Sequence, residues 1–143
     1  MTRLSSETLH ASCVAIGNHA VLIEGLSGTG KSDLALRLID RGARLVSDDY
    51  TLVKRQGGTL VAAAPVNIAG KIEVRGLGIV AMENVENIPV ALIVSLGEPV
   101  ERMPDPDRAR RIADIVVPQI ALDAREPSAP LKVEHAVARF GLR

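Results

Sequence analysis

The feature that most constrains this chain is the run Gly25–Ser32, which reads GLSGTGKS. It satisfies the pattern G-x-x-x-x-G-K-S, in which glycines let the backbone curl until several N–H groups point into one concavity. The apolar run Ala20–Glu24 precedes it, and the amphipathic run Lys31–Arg41 follows it. The motif requires a strand and a helix in these places, because the helix N-terminus brings its partial positive charge to the bound anion. The pattern therefore predicts a phosphate-binding P-loop rather than an incidental glycine-rich turn.

Two side chains of this loop have predicted duties of their own. Lys31 can reach the β- and γ-phosphates of a nucleotide, and the Ser32 hydroxyl can ligate Mg²⁺. The loop backbone is expected to hold the remaining phosphate oxygens. The expected nucleotide-binding residues are Gly25, Leu26, Ser27, Gly28, Thr29, Gly30, Lys31 and Ser32.

Length and composition narrow the class of protein. The 143 residues fit one domain, residues 1–143, that can bury a core without disulfides or structural metal. Aromatic residues make up only 1% of the chain, Tyr50 and Phe140, so the core must be aliphatic and stacking platforms for nucleic acid are not expected. Lys plus Arg and Asp plus Glu both number 17. This balance predicts neither nucleic-acid binding nor attraction to anionic membranes.

The compartment is inferred from three further observations. Cys13 is the single cysteine, which excludes an internal disulfide and fits a reducing compartment. The first ten residues, MTRLSSETLH, contain no apolar signal segment. No apolar run has membrane-spanning length. We therefore expect a soluble cytoplasmic domain.

Apolar periodicity and turn residues predict the other elements. Two hairpins are expected around Gly17-Asn18-His19 and Gln56-Gly57-Gly58, and Pro65–Gly78 is expected to be irregular. Pro118 suggests that its strand lies at an edge or begins after the proline. The expected strands are Leu9–Ile16, Ala20–Glu24, Arg44–Ser47, Tyr50–Arg55, Thr59–Ala63, Val90–Ser95 and Ile115–Leu122. The expected helices are Lys31–Arg41, a short Asp107–Ala113 and Leu131–Phe140.

Acidic residues are missing where P-loop enzymes often carry one. The apolar strand Val90–Ser95 has no carboxylate at its end. Asp48 and Asp49 instead follow the short strand Arg44–Ser47. Asp48 lies 16 residues after Ser32, which leaves room for one helix, a turn and a strand. One of the two could help hold a metal while the other takes a proton from an attacking hydroxyl. A solvated turn is the alternative, because Asp is common at strand ends.

Residues Lys71–Gly78 read KIEVRGLG and form a second candidate constellation. Glu73 and Arg75 are separated by one residue, so their side chains share a face in an extended segment. They could bring a carboxylate to a metal and a guanidinium to a transferring phosphate. Taken alone, these residues favour the alternative of a surface ion pair in a loop.

Four segments together resemble the catalytic domain of HPr kinase/phosphorylase. They are Leu9-His10, Gly25–Ser32, Arg44–Asp49 and Ile72–Ile79, and they stand in the family's order. The resemblance is detailed over roughly residues 8–80 and looser after that. Many families share the P-loop, whereas the run Glu-Val-Arg-Gly-Leu-Gly-Ile is much more specific.

The resemblance implies a kinase that uses ATP and Mg²⁺ to phosphorylate a serine of the small phosphocarrier protein HPr. It also implies a reverse reaction, in which inorganic phosphate attacks the phosphoserine and releases pyrophosphate. The implied fold is an α/β P-loop domain with a mixed central sheet, related to phosphoenolpyruvate carboxykinase. The family enzymes are typically homo-oligomers, and hexamers in particular.

The resemblance also assigns roles residue by residue. Asp48 matches the catalytic acid/base, and His10 matches a histidine close to it. Glu101-Arg102-Met103 resembles a segment whose arginine approaches the phosphate. The implied catalytic residues are Asp48, Lys31, His10, Arg75 and Arg102. The implied metal ligands are Ser32 and Glu73, with Asp49 beside them as a third candidate.

Some features depart from the family pattern. The N-terminal domain of longer members has no counterpart here, so the chain resembles a short form. Asp123–Ser128 stands where the family's basic Arg-Pro-Gly-Arg-Asn stretch is expected, at a subunit contact and near the phosphorolysis machinery. No adenine pocket can be identified, which leaves GTP or pyrophosphate open as donors. A small-metabolite kinase and a non-catalytic nucleotide-sensing module are the alternative functions.

Overall fold

A computed structural model of the chain describes residues 5–143. These residues form two α-helices, one short 3₁₀ helix and eleven strands. The helices are α1 Lys31–Asp40, α2 Ala129–Phe140 and the 3₁₀ helix Val66–Ile68. The strands are β1 Ser6–Leu9, β2 Ala11–Ile16, β3 His19–Glu24, β4 Arg44–Ser47, β5 Thr51–Gln56, β6 Thr59–Ala63, β7 Lys71–Val74, β8 Gly78–Ala81, β9 Ile88–Leu96, β10 Ala109–Ile112 and β11 Ile115–Leu122.

Nine of these strands form one mixed sheet, and β7 and β8 form a separate hairpin. The main order is β1-β5-β6-β9-β3-β2-β4, with β11 beside β9 and β10 beside β11. Strand β9 is the centre of the sheet because it pairs with three others, parallel to β3 and β11 and antiparallel to β6. The carboxyl ends of β3, β9 and β11 therefore meet at one edge, where α/β proteins usually bind ligands.

The sequence of β9, IPVALIVSL, is almost wholly apolar because both faces of the strand are covered. On one face the sheet packs against α1 and α2 in a helix-side core, whose members include Val21, Ile23, Leu34, Leu38, Leu92, Val94 and Val133. The other face is covered by strands of the curled sheet in a strand-side core, whose members include Leu22, Val53, Leu60, Ile93, Ile112 and Val117. The alternation of Val21, Leu22 and Ile23 between the two cores follows from the period of a strand.

The two predicted hairpins, the central strand and the α/β class with a mixed sheet are confirmed. The predicted helix after the glycine-rich loop is confirmed as Lys31–Asp40, and Gly42 follows it with φ +110°. The predicted strand Leu9–Ile16 is divided at His10 into β1 and β2. The segment Pro65–Gly78 is more regular than expected, since it contains the 3₁₀ helix and β7.

The predicted short helix Asp107–Ala113 is wrong, because Ala109–Ile112 forms strand β10 of a hairpin with β11. The connecting residues Ala113 and Asp114 have φ values of +47° and +66°. Two successive positive φ values are typical of the tight two-residue turns that join antiparallel strands. Neither residue is glycine or asparagine, so the usual sequence signal for such a turn is missing.

Strand β11 runs through Pro118, whose Cα partner on β10 is Ala109. In the neighbouring pair, the Gln119 N–H donates a hydrogen bond to the Arg108 carbonyl oxygen at 3.0 Å. Pairing with β9 begins at Gln119. The missing N–H of the proline therefore costs the sheet no hydrogen bond, which explains how this strand tolerates it.

The prediction that no segment spans a membrane is compared here with the two α-helices. Within residues 5–143, neither helix is long and apolar enough to cross a membrane.

Leu38→Ala should destabilise the domain strongly, because Leu38 on α1 is 0% exposed in the helix-side core. We expect the free energy of unfolding to fall by about 2–5 kcal/mol, as in other buried Leu-to-Ala truncations. Leu131→Ala is the matched control, since Leu131 lies on α2 and is 42% exposed. Urea unfolding of both variants measures the difference, and equal losses would contradict the assignment of Leu38 to the core.

Candidate active site

Residues 25–32, here called the glycine-rich loop, lead from β3 into the first two residues of α1 at the carboxyl edge of the sheet. A Cβ atom at Gly25 would lie 2.5 Å from the Thr29 hydroxyl oxygen and 3.0 Å from the Leu96 carbonyl oxygen. The Thr29 hydroxyl itself donates to the Leu26 carbonyl at 2.7 Å. Gly30 precedes α1 with φ +96°, and no side chain caps the helix start. The N-terminal N–H groups of α1 are therefore available for an anion.

The loop opens into a cavity of about 480 Å³, here called the phosphate cavity. Most of the residues predicted from the sequence line it, and Asp33 of α1 joins them. The lining residues are Ser27, Gly28, Gly30, Lys31, Ser32, Asp33, Asp49, Glu73 and Arg75.

The Lys31 side chain points back to the first residues of the glycine-rich loop. Its ammonium donates to the carbonyl oxygens of Gly25 at 2.8 Å and Leu26 at 3.3 Å. The side chain is 6% exposed, so its charge is held close to the loop backbone. A cation in this position favours negative charge in the phosphate cavity.

Asp48 is 7% exposed, and its carboxylate accepts hydrogen bonds from three segments. Oδ1 accepts from the hydroxyls of Ser32 at 2.6 Å and Ser12 at 2.8 Å. Oδ2 accepts from the Glu73 N–H at 2.9 Å. Asp48 thus fixes the orientation of Ser32 and attaches the β7–β8 hairpin to the glycine-rich loop.

Asp49 lies in a sharp turn that directs its side chain away from that of Asp48. The Tyr50 N–H donates to the Asp48 carbonyl at 2.8 Å across Asp49, whose φ is +67°. This is the pattern of a γ-turn, an uncommon and strained conformation. The Asp49 N–H donates to the Ser12 hydroxyl at 3.1 Å, while its carboxylate is 56% exposed and lines the phosphate cavity.

His10 contacts the Asp49 carboxylate, with 3.0 Å between Nε2 and Oδ1. Its ring also stacks on Tyr50, with 5.0 Å between the ring centroids and 25° between the ring planes. The imidazole is held on two sides and in turn holds the exposed carboxylate at the edge of the phosphate cavity.

Glu73 and Arg75 both line the phosphate cavity, which is the position that the family resemblance implied for them. Ile72 of β7 is 0% exposed and anchors the β7–β8 hairpin in the helix-side core. Arg102 is in a different position, exposed in the loop between β9 and β10, and it is not among the residues that line this cavity.

Sequence reasoning did not identify Ser12, although it bonds to both members of the acidic pair. Its hydroxyl is 0% exposed within the otherwise apolar strand β2. The one available signal is a polar residue in an apolar run, since buried hydroxyls need a partner. The partner could not be found without the register of β2 against β4, which pairs Cys13 with Ser47.

A second polar cluster, here called the strand-end network, was also not predicted. Glu24 ends β3, and its carboxylate accepts two bonds from Arg110 of β10, at 2.8 and 2.6 Å. Ser95 donates to Glu24 at 3.0 Å, and the Gln119 amide donates to both residues. The acid that is missing from the end of β9 is thus present on the neighbouring strand, where an arginine neutralises it.

The residues of the phosphate cavity fit Mg²⁺ in chemistry. Hydroxyl and carboxylate oxygens are offered by Ser32, Asp49 and Glu73, and Mg²⁺ prefers such hard oxygen ligands. Among residues 5–143, no three His, Cys, Asp or Glu side chains cluster closely enough to hold a metal ion by themselves. This agrees with the usual mode of Mg²⁺ binding, in which one or two carboxylates share the ion with substrate phosphates.

Fold and site together define an α/β domain with a glycine-rich loop at the carboxyl edge of its sheet and acidic side chains in the cavity beside it. The family model described as the HPr Serine kinase C-terminal domain matches residues 2–142. The chain therefore belongs to the HPr serine kinase C-terminal domain family.

Curated relatives support the same family. HPr kinase/phosphorylase from Brevibacillus brevis is 38% identical over 149 residues, covering 95% of this chain and 48% of that protein. The protein of the same name from Levilactobacillus brevis is 34% identical, covering 96% of this chain and 49% of the relative. A third, from Clostridium tetani, is 47% identical over 79 residues, covering 54% and 26%. The chain spans about half the length of the first two relatives.

A solved structure, that of the Hpr(Ser) kinase/phosphatase from Coxiella burnetii, is similar in fold. The two structures align with a TM-score of 0.76 and 34% sequence identity. The alignment covers 92% of this chain and 94% of that one.

Gly25→Ala should damage the glycine-rich loop, because the added methyl group would collide with the Thr29 hydroxyl and the Leu96 carbonyl. We expect a loss of about 1–3 kcal/mol of stability, as in other overpacked sites, and weaker binding of tripolyphosphate. Gly58→Ala is the control, since a Cβ there meets nothing within 4 Å. Thermal unfolding and calorimetric titration measure the two effects. Wild-type behaviour of Gly25→Ala in both would argue against this loop geometry.

Proposed function

We propose that this chain is a kinase that transfers the γ-phosphoryl group of ATP to a serine of an HPr-type phosphocarrier protein, with Mg²⁺. The observation that carries the proposal is the position of the exposed Asp49 carboxylate, held by His10 in the cavity that the glycine-rich loop forms. An accessible, oriented base beside a phosphate site suits transfer to a hydroxyl. A module that only binds nucleotide would not need it.

The glycine-rich loop and the first turn of α1 bind the phosphates in this proposal. Their N–H groups and the helix dipole favour an anion, and the Lys31 ammonium adds a full charge. Arg75 lines the same cavity and can stabilise the charge on the transferring group. We further infer that the domain is a P-loop domain related to phosphoenolpyruvate carboxykinase and that residues 1–143 act as one catalytic unit.

Ser32 and Glu73 would hold Mg²⁺, together with phosphate oxygens. The ion would neutralise part of the charge on the phosphates when bound. Asp48 contributes by accepting a hydrogen bond from the Ser32 hydroxyl at 2.6 Å, which keeps the hydroxyl oxygen directed at the cavity.

For the proton acceptor we propose Asp49, whereas the family resemblance assigned this role to Asp48. Asp48 is 7% exposed, and both of its oxygens already accept hydrogen bonds. Asp49 has a 56% exposed side chain that lines the phosphate cavity. In the proposed step, the serine oxygen bonds to the γ-phosphorus, the bond from phosphorus to the β–γ bridging oxygen breaks, and the serine proton passes to Asp49. His10 keeps that carboxylate in position.

Matched substitutions test this division of roles. Asp49→Asn should lower turnover by about 10²–10⁴-fold, because the amide cannot accept the proton, and should leave ATP affinity nearly unchanged. Asp48→Asn should instead weaken Mg²⁺-dependent ATP binding, because the amide NH₂ disturbs the orientation of Ser32. Single-turnover kinetics and equilibrium titration separate the two effects. Normal ATP binding with no transfer in Asp48→Asn would return the base role to Asp48.

The acceptor is tested by incubating the purified chain with labelled ATP, Mg²⁺ and either an HPr-type carrier or a panel of small hydroxyl metabolites. We expect label only on a serine of the carrier. Label on a metabolite would identify a small-molecule kinase, and label on nothing would favour a nucleotide-sensing module. Inorganic phosphate added to the phosphorylated carrier then tests the reverse reaction, whose product would be pyrophosphate.

A further inference from the structure

A second cavity, of about 530 Å³, lies against the glycine-rich loop and shares Gly28 with the phosphate cavity. Its other walls are the segments that follow β9 and β11. The lining residues are Gly28, Thr29, Gly97, Glu98, Pro99, Val100, Leu122, Asp123, Ala124, Arg125 and Glu126.

We propose that this second cavity binds the nucleoside part of the nucleotide, with the Arg125 guanidinium as the platform for the base. The inference rests on the proposed function, because it takes the glycine-rich loop as the site of the phosphates. A ligand whose phosphates occupy the loop can extend past Gly28 from one cavity into the other.

Both walls of the second cavity are in contact with the loop itself. A Cβ at Gly97 would lie 3.0 Å from the Thr29 methyl carbon, so the segment after β9 packs directly on Thr29. A Cβ at Gly30 would lie 3.1 Å from the Ala124 Cβ, so the segment after β11 packs on the start of α1. The spacing between phosphate site and cavity walls is therefore fixed by van der Waals contact.

Arg37 of α1 fixes the second wall further. Its guanidinium donates to the carbonyl oxygens of Ala124 at 2.5 Å and Glu126 at 3.3 Å. The helix that begins at the glycine-rich loop thus holds the turn that carries Arg125. A site built in this way needs little reorganisation to bind an extended ligand.

Arg125 is held in a fixed orientation while its guanidinium remains uncovered. Its Nε and Nη2 donate to the two oxygens of Asp123 at 3.0 and 2.9 Å, and its N–H donates at 2.9 Å. Hydrogen bonds from the Arg125 side chain and backbone lower the pKa of Asp123 to about 2, so the pair is ionised at neutral pH. The Arg125 side chain is 90% exposed. A planar guanidinium held by its edge leaves its faces free for a base.

The aromatic residues of the chain cannot serve as this platform. Tyr50 stacks on His10 beside the phosphate cavity, and the Phe140 ring is covered by the Arg139 guanidinium at 5.5 Å. The sequence contains no further aromatic residue of the Phe, Tyr or Trp type. A base bound by this chain would stack on an arginine and on aliphatic side chains such as Val100 and Leu122.

The carboxylates of the second cavity offer hydrogen-bond acceptors to a neutral polar group. Glu98, Asp123 and Glu126 line it with one cation, Arg125. Glu98 and Glu126 are directed by ion pairs to Arg108 at 2.5 Å and Lys132 at 3.0 Å. Carboxylates held in this way can accept hydrogen bonds from ribose hydroxyls.

Arg125→Ala tests the proposal by comparing ATP with tripolyphosphate, which has no nucleoside. We expect the dissociation constant for ATP to rise about fivefold, the size of a cation–π contact, and that for tripolyphosphate to stay within twofold. Arg125→Lys keeps the charge but lacks the planar guanidinium, so it should recover only part of the ATP affinity. Equal weakening for both ligands, or unchanged ATP affinity in Arg125→Ala, would overturn the proposal.

The wild-type chain distinguishes this proposal from the proposed function. If it binds neither ATP nor tripolyphosphate, the glycine-rich loop does not bind phosphates and the proposed kinase fails with the nucleoside site. If it binds both equally well and phosphorylates the carrier with either ATP or a simple polyphosphate, the kinase stands and the nucleoside site fails. Tighter binding of ATP than of tripolyphosphate, lost in Arg125→Ala, supports both.

Discussion

The Asp48 carboxylate joins the separate segments of the site. It accepts bonds from Ser12 on β2, Ser32 on α1 and the Glu73 N–H on β7. Because the carboxylate is buried, removing any donor would leave a lone pair without water to replace it. These hydrogen bonds also limit the chemistry of Asp48, because both oxygens of its carboxylate already accept from other groups. The strained turn at Asp49 resolves this conflict by turning the next carboxylate outward to the cavity and to His10.

The parts of the site that could be predicted from the sequence are those encoded locally. The glycine-rich loop and its helix depend on residues within a few positions of one another, so spacing alone describes them, whereas the placement of Glu73 and Arg75 at the site came from the family resemblance. The parts that could not be predicted depend on strand register between distant segments. Ser12 meets Asp48 only through the pairing of β2 with β4, and Glu24 meets Arg110 only because a hairpin without a glycine turn brings β10 to the sheet. Because Ala113 and Asp114 give no such turn signal, the sequence wrongly predicted a helix where β10 lies.

The glycine-rich loop separates two cavities with different electrostatic character. Lys31 and Arg75 line the first cavity together with three carboxylates, whereas each carboxylate of the second is paired with a cation. Thr29 and Gly30 are packed against the strand-end segments that form the second cavity. A single rigid loop can therefore orient a ligand that carries charge at one end and hydroxyl groups at the other. The acidic turn at Asp123, which departs from the basic stretch of the family pattern, belongs to the second side.

The central position of β9 also has a consequence for how the protein is made. The strand that leads into the glycine-rich loop, β3, has β9 as its parallel partner, and β9 in turn pairs with β11, which lies further along the chain. During synthesis the loop sequence leaves the ribosome before β9 and β11, because both strands follow it along the chain. The β2–β3 hairpin can form first, because its pairing is local. The glycine-rich loop therefore takes its final geometry only after β9 and β11 have joined the sheet, so the order of strand pairing sets when the site can form.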